Sequence, residues 1–393
     1  MRVLAACSLG GLGHLRPLLE VADALRDAGH EVGVLAPGRL AEAARARGYE
    51  ALEGDEPPAE LLEALRARVA GPDPRDAALA GNRDLFARAG ARALEPALEE
   101  SVARWRPELV VRETCEFASA ALARRRGLPV AQVAIGLARV EWASVRLAAP
   151  ALEELAPGLA DACRATPYLS GLPESIDPSP FARTHRYRRL APPEPEPLPD
   201  WWPGDERPLC YVTVGSVAPR LEGAAAMWGA LVAGLEEVGC RVLATTGDAD
   251  LAVRATGSVH VEPFVEQDRV LAEADVVVCH GGAGTVAGAL AHGVPLVVAP
   301  ILADNAANGR LVASHGAGVA LERPRGPIGA GDLPAIRDAV TRVLGEPGFR
   351  AAARGLARTI AAAPSAAAAL EAALGLGDGS GPARPDGAVG GPL

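Results

Sequence analysis

There is no lysine anywhere in the 393 residues; all 39 basic residues are arginine. This excludes a P-loop lysine, a Schiff-base or pyridoxal-phosphate lysine and the phosphate-contacting lysine of protein kinases. The accompanying excess of Ala, Arg, Gly and Pro points to a GC-rich genome. Aromatic residues make up only 4% of the chain, so no aromatic box is in view for a bound ring. Positive charge is also short. The formal net charge is −10, which excludes a nucleic-acid partner, because phosphate neutralisation needs a basic surface. Arg124, Arg125 and Arg126 read as a solvated helix end. The six cysteines (Cys7, Cys115, Cys163, Cys210, Cys240 and Cys279) are far apart, with no Cys-x-x-Cys. They read as buried free thiols in a reducing cytosol.

No long hydrophobic leader opens the chain; the MRVLAACSLGG start is too short and runs into a Gly-rich turn. Between Val276 and Ala303 there is no Asp, Glu or Arg, a length that spans a bilayer. His280, His292, Pro295, Pro300 and several glycines make it a strand–turn–helix–turn–strand instead. No membrane insertion is expected, and the chain is read as cytoplasmic. There is no His-Glu-x-x-His and no Cys/His cluster. Asp248-Ala249-Asp250 is the one metal-like pattern and reads as a polar loop. Neither a metal nor another cofactor is expected.

What is present is a core-forming composition, 49% hydrophobic and 22% charged. At ~150 residues per domain the length suggests two or three domains. The first half runs strand 2–7, helix, strand 30–36, helix 39–47, a helix-prone stretch 53–100, strand 108–111, helix 116–126 and strand 129–135. The second runs strand 209–214, helix 221–238, strands 240–246 and 258–262, helix 267–274, strand 275–279, helix 285–293, strand 294–300 and helix 304–316. Alternation of this kind predicts parallel sheets covered by helices. Between the halves, residues 190–208 hold seven prolines in 19 residues, an extended linker. The expected domains are therefore 1–190 and 209–375 around a linker at 191–208. The Gly/Pro-rich tail, 376–393, reads as disordered.

Two Gly-rich turns stand where strands pass into helices. In Gly10-Gly11-Leu12-Gly13-His14, Gly11 and Gly13 allow a ligand to approach the backbone. Arg16 breaks the dinucleotide fingerprint Gly-x-Gly-x-x-Gly. His14 is either a general base, its pKa being close to working pH, or a helix-capping residue. In His280-Gly281-Gly282-Ala283-Gly284-Thr285, glycines, a helix N-terminus and a hydroxyl make a diphosphate cradle, with His280 a donor to phosphate oxygen.

The run HGGAGTVAGALAHGVPLVVAPILADNAANGRLV resembles the donor-binding signature of family 1 glycosyltransferases. GGLGHLRP, RPELVVRE and YVTVGS resemble further segments of that family, in order, over roughly 1–375. The likeness is nearest to actinomycete natural-product enzymes and weakest over 53–100 and 139–190. It implies the GT-B fold, in which two Rossmann-like α/β domains with parallel sheets face a cleft. The last helix then packs back on the first domain. The implied reaction is inverting transfer of a sugar from a TDP- or UDP-sugar to a small lipophilic aglycone, in antibiotic biosynthesis and without metal.

The resemblance also distributes roles. His14 falls on the base, and Glu113 (with Glu116 as second choice) on the carboxylate that orients it. Gly215, Ser216, His280, Gly282, Ala283, Gly284 and Thr285 match diphosphate contacts. Phe264, Val265 and Gln267 match the nucleobase segment, with Glu266 where relatives have Pro. Asp304 and Asn305 match the pair that holds sugar hydroxyls. Gly288 and Ala289 stand where many relatives carry a ribose-binding Glu, which favours TDP over UDP. Scattered apolar residues in 53–90 and 136–175, among them Phe86, Trp142 and Tyr168, are the acceptor-pocket candidates. The partners implied are a nucleotide-sugar and an aglycone, and nothing excludes a homodimer. The alternatives from other classes are a GT-B nucleotide-sugar epimerase and a catalytically silent helper protein.

Overall fold

The computed structural model describes residues 1–9, 11–189, 196–215, 224–247, 255–301, 303–322 and 328–375. Gly10, Ser216, the Asp248-Ala249-Asp250 loop, the first part of the Pro-rich linker and the tail from 376 lie outside the described residues.

Short apolar strands alternate with helices, as the composition requires. The first half holds β1 (Arg2–Ala6), α1 (Leu12–Asp27), β2 (Glu31–Pro37), α2 (Gly38–Ala46), β3 (Glu50–Gly54), α3 (Ala59–Ala70) and α4 (Pro74–Leu79). A π-helical segment, Ala80–Gly90, follows, then α5 (Ala91–Trp105), β4 (Leu109–Glu113), α6 (Ala118–Arg126) and β5 (Val130–Val133). It ends with α7 (Ala138–Leu155), α8 (Leu159–Ala165), β6 (Tyr168–Ser170) and β7 (Thr184–Arg186). The second half holds β8 (Leu209–Thr213), α9 (Ala224–Glu236), β9 (Arg241–Thr245), β10 (Val259–Glu262), α10 (Gln267–Glu273) and β11 (Val276–Cys279). It continues through α11 (Ala283–Ala291), β12 (Leu296–Val298), α12 (Asn305–Ser314), β13 (Gly318–Ala320), α13 (Leu333–Gly345), α14 (Pro347–Ala361) and α15 (Ala366–Leu374).

The strands form two all-parallel sheets, ordered β3-β2-β1-β4-β5-β6-β7 and β10-β9-β8-β11-β12-β13. In each, chain order reverses between two central strands, β1/β4 in the first and β8/β11 in the second. Such a reversal splays the following loops apart and leaves a crevice at the C-terminal ends of the strands. Helices cover both faces of each sheet. Trp201 and Trp202, in the described part of the linker, settle on the second domain; Trp201 stacks on His260 with centroids 4.2 Å apart.

Helix α15 crosses back to the first domain. Its Ala366, Ala369, Leu370 and Ala373 repeat at helical spacing and join the core formed by β1, β2, β4, β5 and α1. Arg183 anchors the helix end by donating to the Ala373 carbonyl at 2.6 Å. The residues from Val276 to Ala303, apolar enough to raise the membrane question, are β11, α11 and β12 inside the second domain. No helix among the described residues is long and apolar enough to cross a membrane. All six cysteines are buried and free.

Candidate functional site

The two central crevices carry the two Gly-rich turns, and they face each other across a cleft. In the first, the β1 strand ends and Gly11, at φ 79°, turns the chain into α1; only glycine adopts that conformation without strain. His14 follows in the first turn. Parallel pairing of β1 with β4 sets Ala6 opposite Arg112, which brings the Glu113 carboxylate under the β1–α1 loop. Its Oε1 lies 3.3 Å from Nδ1 of His14.

Glu113 is held on every side. It accepts from the Ser8 N–H at 3.1 Å, from the Ser8 hydroxyl, and from the Cys115 N–H at 2.5 Å. Burial by itself raises its carboxyl. The His14 charge and these hydrogen bonds outweigh burial and hold it below the usual carboxylate range. An ionised carboxylate on Nδ1 orients the ring and stabilises the imidazolium that forms when Nε2 takes a proton. Glu116, the second choice for this task, turns away. Its carboxylate accepts from the Ser119 N–H at 3.0 Å and caps α6.

The loop that carries Glu113 is wrapped around a buried guanidinium. Arg112, fully buried on β4, donates from one nitrogen to the carbonyls of Glu113 and Thr114 at 3.1 Å and of Glu116 at 2.6 Å. Its other terminal nitrogen donates to Gln132 Oε1 at 2.7 Å. Three carbonyls of the 113–116 turn drawn to one cation fix the loop that aims Glu113.

In the second crevice Gly281, at φ 90°, turns β11 toward α11. A Cβ there would meet Val298 at 2.7 Å and the Asn305 carbonyl at 2.8 Å, so the turn tolerates no side chain. The His280 ring wedges between Gly215 and Gly282, 2.7 Å and 2.6 Å from the positions their Cβ atoms would take. Burial pulls its imidazole down to about 4. It is therefore neutral, with one N–H to give, and Nδ1 has no partner. The N–H groups of the first α11 turn, at Gly282 to Thr285, have no intrahelical acceptors and suit an anion. Gln267, at the start of α10, donates to the Thr285 hydroxyl at 3.3 Å and so ties the 264–267 segment to the first turn of α11. Phe264 stands open, 54% exposed, while Val265 packs on the core beneath it.

Asp304 enters the cleft from the second domain. Its Oδ2 lies 3.5 Å from where a Cβ on Gly136 of the first domain would sit. Ala303 just before it adopts left-handed φ, 52°, backbone strain of the kind concentrated at binding loops. Asn305, expected beside it on the ligand, instead points inward. It is buried, and its Oδ1 accepts from the Ile301 N–H at 3.4 Å. An Asn is one methylene shorter than the Gln of relatives, and here it braces its own loop.

The acceptor-pocket candidates divide. Phe86, on the π-helical segment, stacks on His14 with centroids 5.2 Å apart. A π-helix widens the turn and often marks a functional site. Trp142 and Tyr168 join neither; both pack on Phe181 in a separate aromatic cluster. Tyr168 is fully buried, so for it the pocket expectation is corrected. Its position on a short interior strand makes it core. Among the described residues, one group gathers metal-type donors: His14, Glu113 and Cys115, with ligand atoms within 4.8 Å of one another. Burial raises the Cys115 thiol well above its ordinary value, and Glu113 adds to the rise, so it stands as a protonated thiol beside the dyad.

The N-terminal-domain profile of the family described as Erythromycin biosynthesis protein CIII-like matches residues 23–215, and its C-terminal-domain profile matches residues 231–374. The L-demethylnoviosyl transferase of Streptomyces niveus is 30% identical over 94% of this chain and 97% of its own. The elloramycin glycosyltransferase of Streptomyces olivaceus is 32% identical, over 96% and 98%. The chain belongs to the family 1 glycosyltransferases of actinomycete natural-product type. Among solved structures, the glycosyltransferase SsfS6 of Streptomyces sp. SF2575, complexed with thymidine diphosphate, superposes with a TM-score of 0.73 at 26% identity. The match covers 93% of this chain and 97% of that one. Two parallel-sheet domains around a cleft are the GT-B arrangement.

The glycosyltransferase has one buried cleft carboxyl that the sequence did not disclose. Glu141, in the first turn of α7, accepts from the N–H groups of Ile135 and Gly136 at 2.6 and 2.7 Å and from the Tyr168 hydroxyl at 2.6 Å. It pins the loop that faces Asp304. A lone Glu in an apolar helix carries no motif; only the fold brings it against Gly136. Asn308 was visible in the signature but not its task. It donates to the Gly281 carbonyl at 2.8 Å and to Asp304 Oδ2 at 2.9 Å, joining the 280–285 turn to the loop that carries Asp304.

Burial pushes the Glu141 carboxyl up to about 8, against hydrogen bonds that favour the charged form. Its folded value thus exceeds its unfolded one, so the folded glycosyltransferase binds this proton more tightly and loses stability as pH rises between about 4.5 and 8. Glu141→Gln cannot ionise. Its melting temperature relative to wild type is expected to climb across that window, and an offset independent of pH would contradict the assignment.

Proposed function

We propose that this glycosyltransferase moves a sugar, with inversion, from a TDP-sugar to a hydroxyl of a small lipophilic natural-product aglycone. UDP-sugars are the second donor class. The observation that carries the reading is the His14–Glu113 pair, 3.3 Å apart, set opposite an anion-binding helix end. The acceptor hydroxyl gives its proton to Nε2 of His14 as its oxygen attacks the anomeric carbon. Glu113 holds the imidazolium that results. The bond to the diphosphate breaks in the same step. The leaving charge is received by the N–H groups at Gly282 to Thr285, with Gly215 beside them and a donor hydrogen from neutral His280.

No resident metal enters this scheme, because helix N–H groups and His280 meet the diphosphate charge. The preference for TDP is supported by Gly288 and Ala289, which offer no carboxylate to a ribose 2′-hydroxyl. It is supported further by the thymidine diphosphate bound to a similar structure. Phe264 is the platform for the pyrimidine, and Asp304 the contact for sugar hydroxyls. The aglycone lies over Phe86, beside the apolar cluster of Leu62, Leu65 and Leu85, consistent with a lipophilic acceptor. The enzyme acts in the cytoplasm.

The test is incubation with TDP- and UDP-sugars and a panel of polyketide and aromatic aglycones, followed by mass spectrometry and anomeric NMR. An inverted glycoside formed in EDTA is the expected result. No transfer with any donor, together with no calorimetric binding of either nucleotide, would falsify the reading.

A further inference from the structure

Arg16 is a cleft cation that no ion pair among the described residues takes up. It sits on α1, two residues beyond His14, and its guanidinium carbon lies 5.5 Å from the centroid of the Phe264 ring on the opposite domain. Among the described residues it meets no carboxylate and no carbonyl oxygen within hydrogen-bond distance. Arg189, also on the cleft, is different. It pairs with Glu20 and donates to the Gly284 carbonyl at 3.4 Å, so its charge is spent within the protein. The Arg16 charge also reaches the Tyr211 phenol on β8, where it offsets part of the rise that burial causes.

An uncompensated guanidinium facing a 54% exposed aromatic ring is a surface for a ligand with a flat ring and a negative charge. A guanidinium donates through a planar fork that matches phosphate oxygens. In a chain without lysine, that fork is the cation available where the first domain looks onto the donor turn.

We propose that Arg16 is a nucleotide-binding residue contributed by the acceptor domain, pairing with the donor's diphosphate while the pyrimidine lies on Phe264. This rests on the donor reading above. The contact exchanges a cation–π interaction for a charge-assisted one. Because Arg16 and His14 share a helix, it links occupancy of the donor site to the position of the base.

Calorimetry of the full-length protein with TDP and with thymidine separates the possibilities. Arg16→Gln is expected to weaken TDP binding at least about tenfold and to leave thymidine within about twofold. Arg16→Lys should recover part of the loss, and the salt dependence of TDP binding should be shallower in Arg16→Gln. Phe264→Ala should weaken both ligands together. TDP affinity unchanged in Arg16→Gln, or TDP and thymidine weakened equally, overturns the proposal while leaving the donor reading intact. Failure of the wild-type protein to bind TDP at all overturns both.

Discussion

Replacing His14 with alanine is expected to lower kcat for glycoside formation by about 10²–10⁴-fold, the usual contribution of a positioned general base, with TDP affinity unchanged. The geometry dictates the split. The ring is on the first domain, against Glu113 and Phe86, whereas the 280–285 turn, proposed to hold the diphosphate, belongs to the second. Nothing in the N–H groups at Gly282 to Thr285 depends on the imidazole at 14. Loss should therefore fall on the chemical step. The pH profile should change with it. The limb that reports the base in wild type should disappear in His14→Ala, leaving slow transfer to pre-ionised acceptors. Glu113→Gln should fall between the two enzymes, since an amide can still accept from Nδ1–H but cannot stabilise an imidazolium by charge. Steady-state kinetics with a saturating donor decides. A His14→Ala enzyme with wild-type kcat would sink the base assignment.

The second large effect should appear in Arg112→Met. Leaving a buried acceptor without its donor typically costs about 1–3 kcal/mol per group, because the group left behind cannot return to water. Here the groups are three carbonyls of the 113–116 turn and the side chain of Gln132. Gln132 in turn donates to the Cys163 carbonyl at 2.9 Å, so the disturbance reaches the end of α8. Denaturant unfolding should show a lower midpoint for the first domain. Near-native folded protein at low denaturant should still bind TDP but transfer slowly, because Glu113 is no longer aimed. Arg112→Lys should retain charge and lose the fork, recovering stability more than rate. Equal unfolding midpoints for wild type and Arg112→Met would contradict the role given to the guanidinium.

The parts of this site that could be read in the sequence are those whose chemistry is local. A strand, a glycine turn and a helix start are written within about ten consecutive residues. His14 and the 280–285 turn were therefore found together with their surroundings. Glu113 was legible through its strand, but its choice over Glu116 needed the register of β1 against β4. Five of the six strands of the C-terminal sheet lie within a residue or two of the sequence reading, since each is a short apolar run between breakers; β13 is missing from it. Strand β3 is also absent from that reading, as are β6 and β7. For β6 and β7, three residues each is too few for alternation to show, and the resemblance is weakest there. The same region hid α7 and Glu141. Tyr168 and Asn305 went the other way. Both are polar residues in the right stretch of chain whose side chains turn inward. Residue type and spacing carry no information about that choice, which packing makes.

Helix α15 has a consequence for recombining enzymes of this family. The chain enters the first domain twice, once through residues 1–189 and again through 366–374, so the first core is built from two stretches far apart in sequence. A chimaera spliced only in the Pro-rich linker would seat another enzyme's terminal helix against α1, with Ala366, Ala369, Leu370 and Ala373 exchanged for side chains selected against a different partner. Exchange of second domains that respects this packing needs two crossovers, one in the linker and one near Pro364, whose carbonyl accepts from the Arg188 N–H at 2.8 Å. The first domain is therefore a discontinuous unit, and a swap that treats it as one piece of chain leaves part of its core behind.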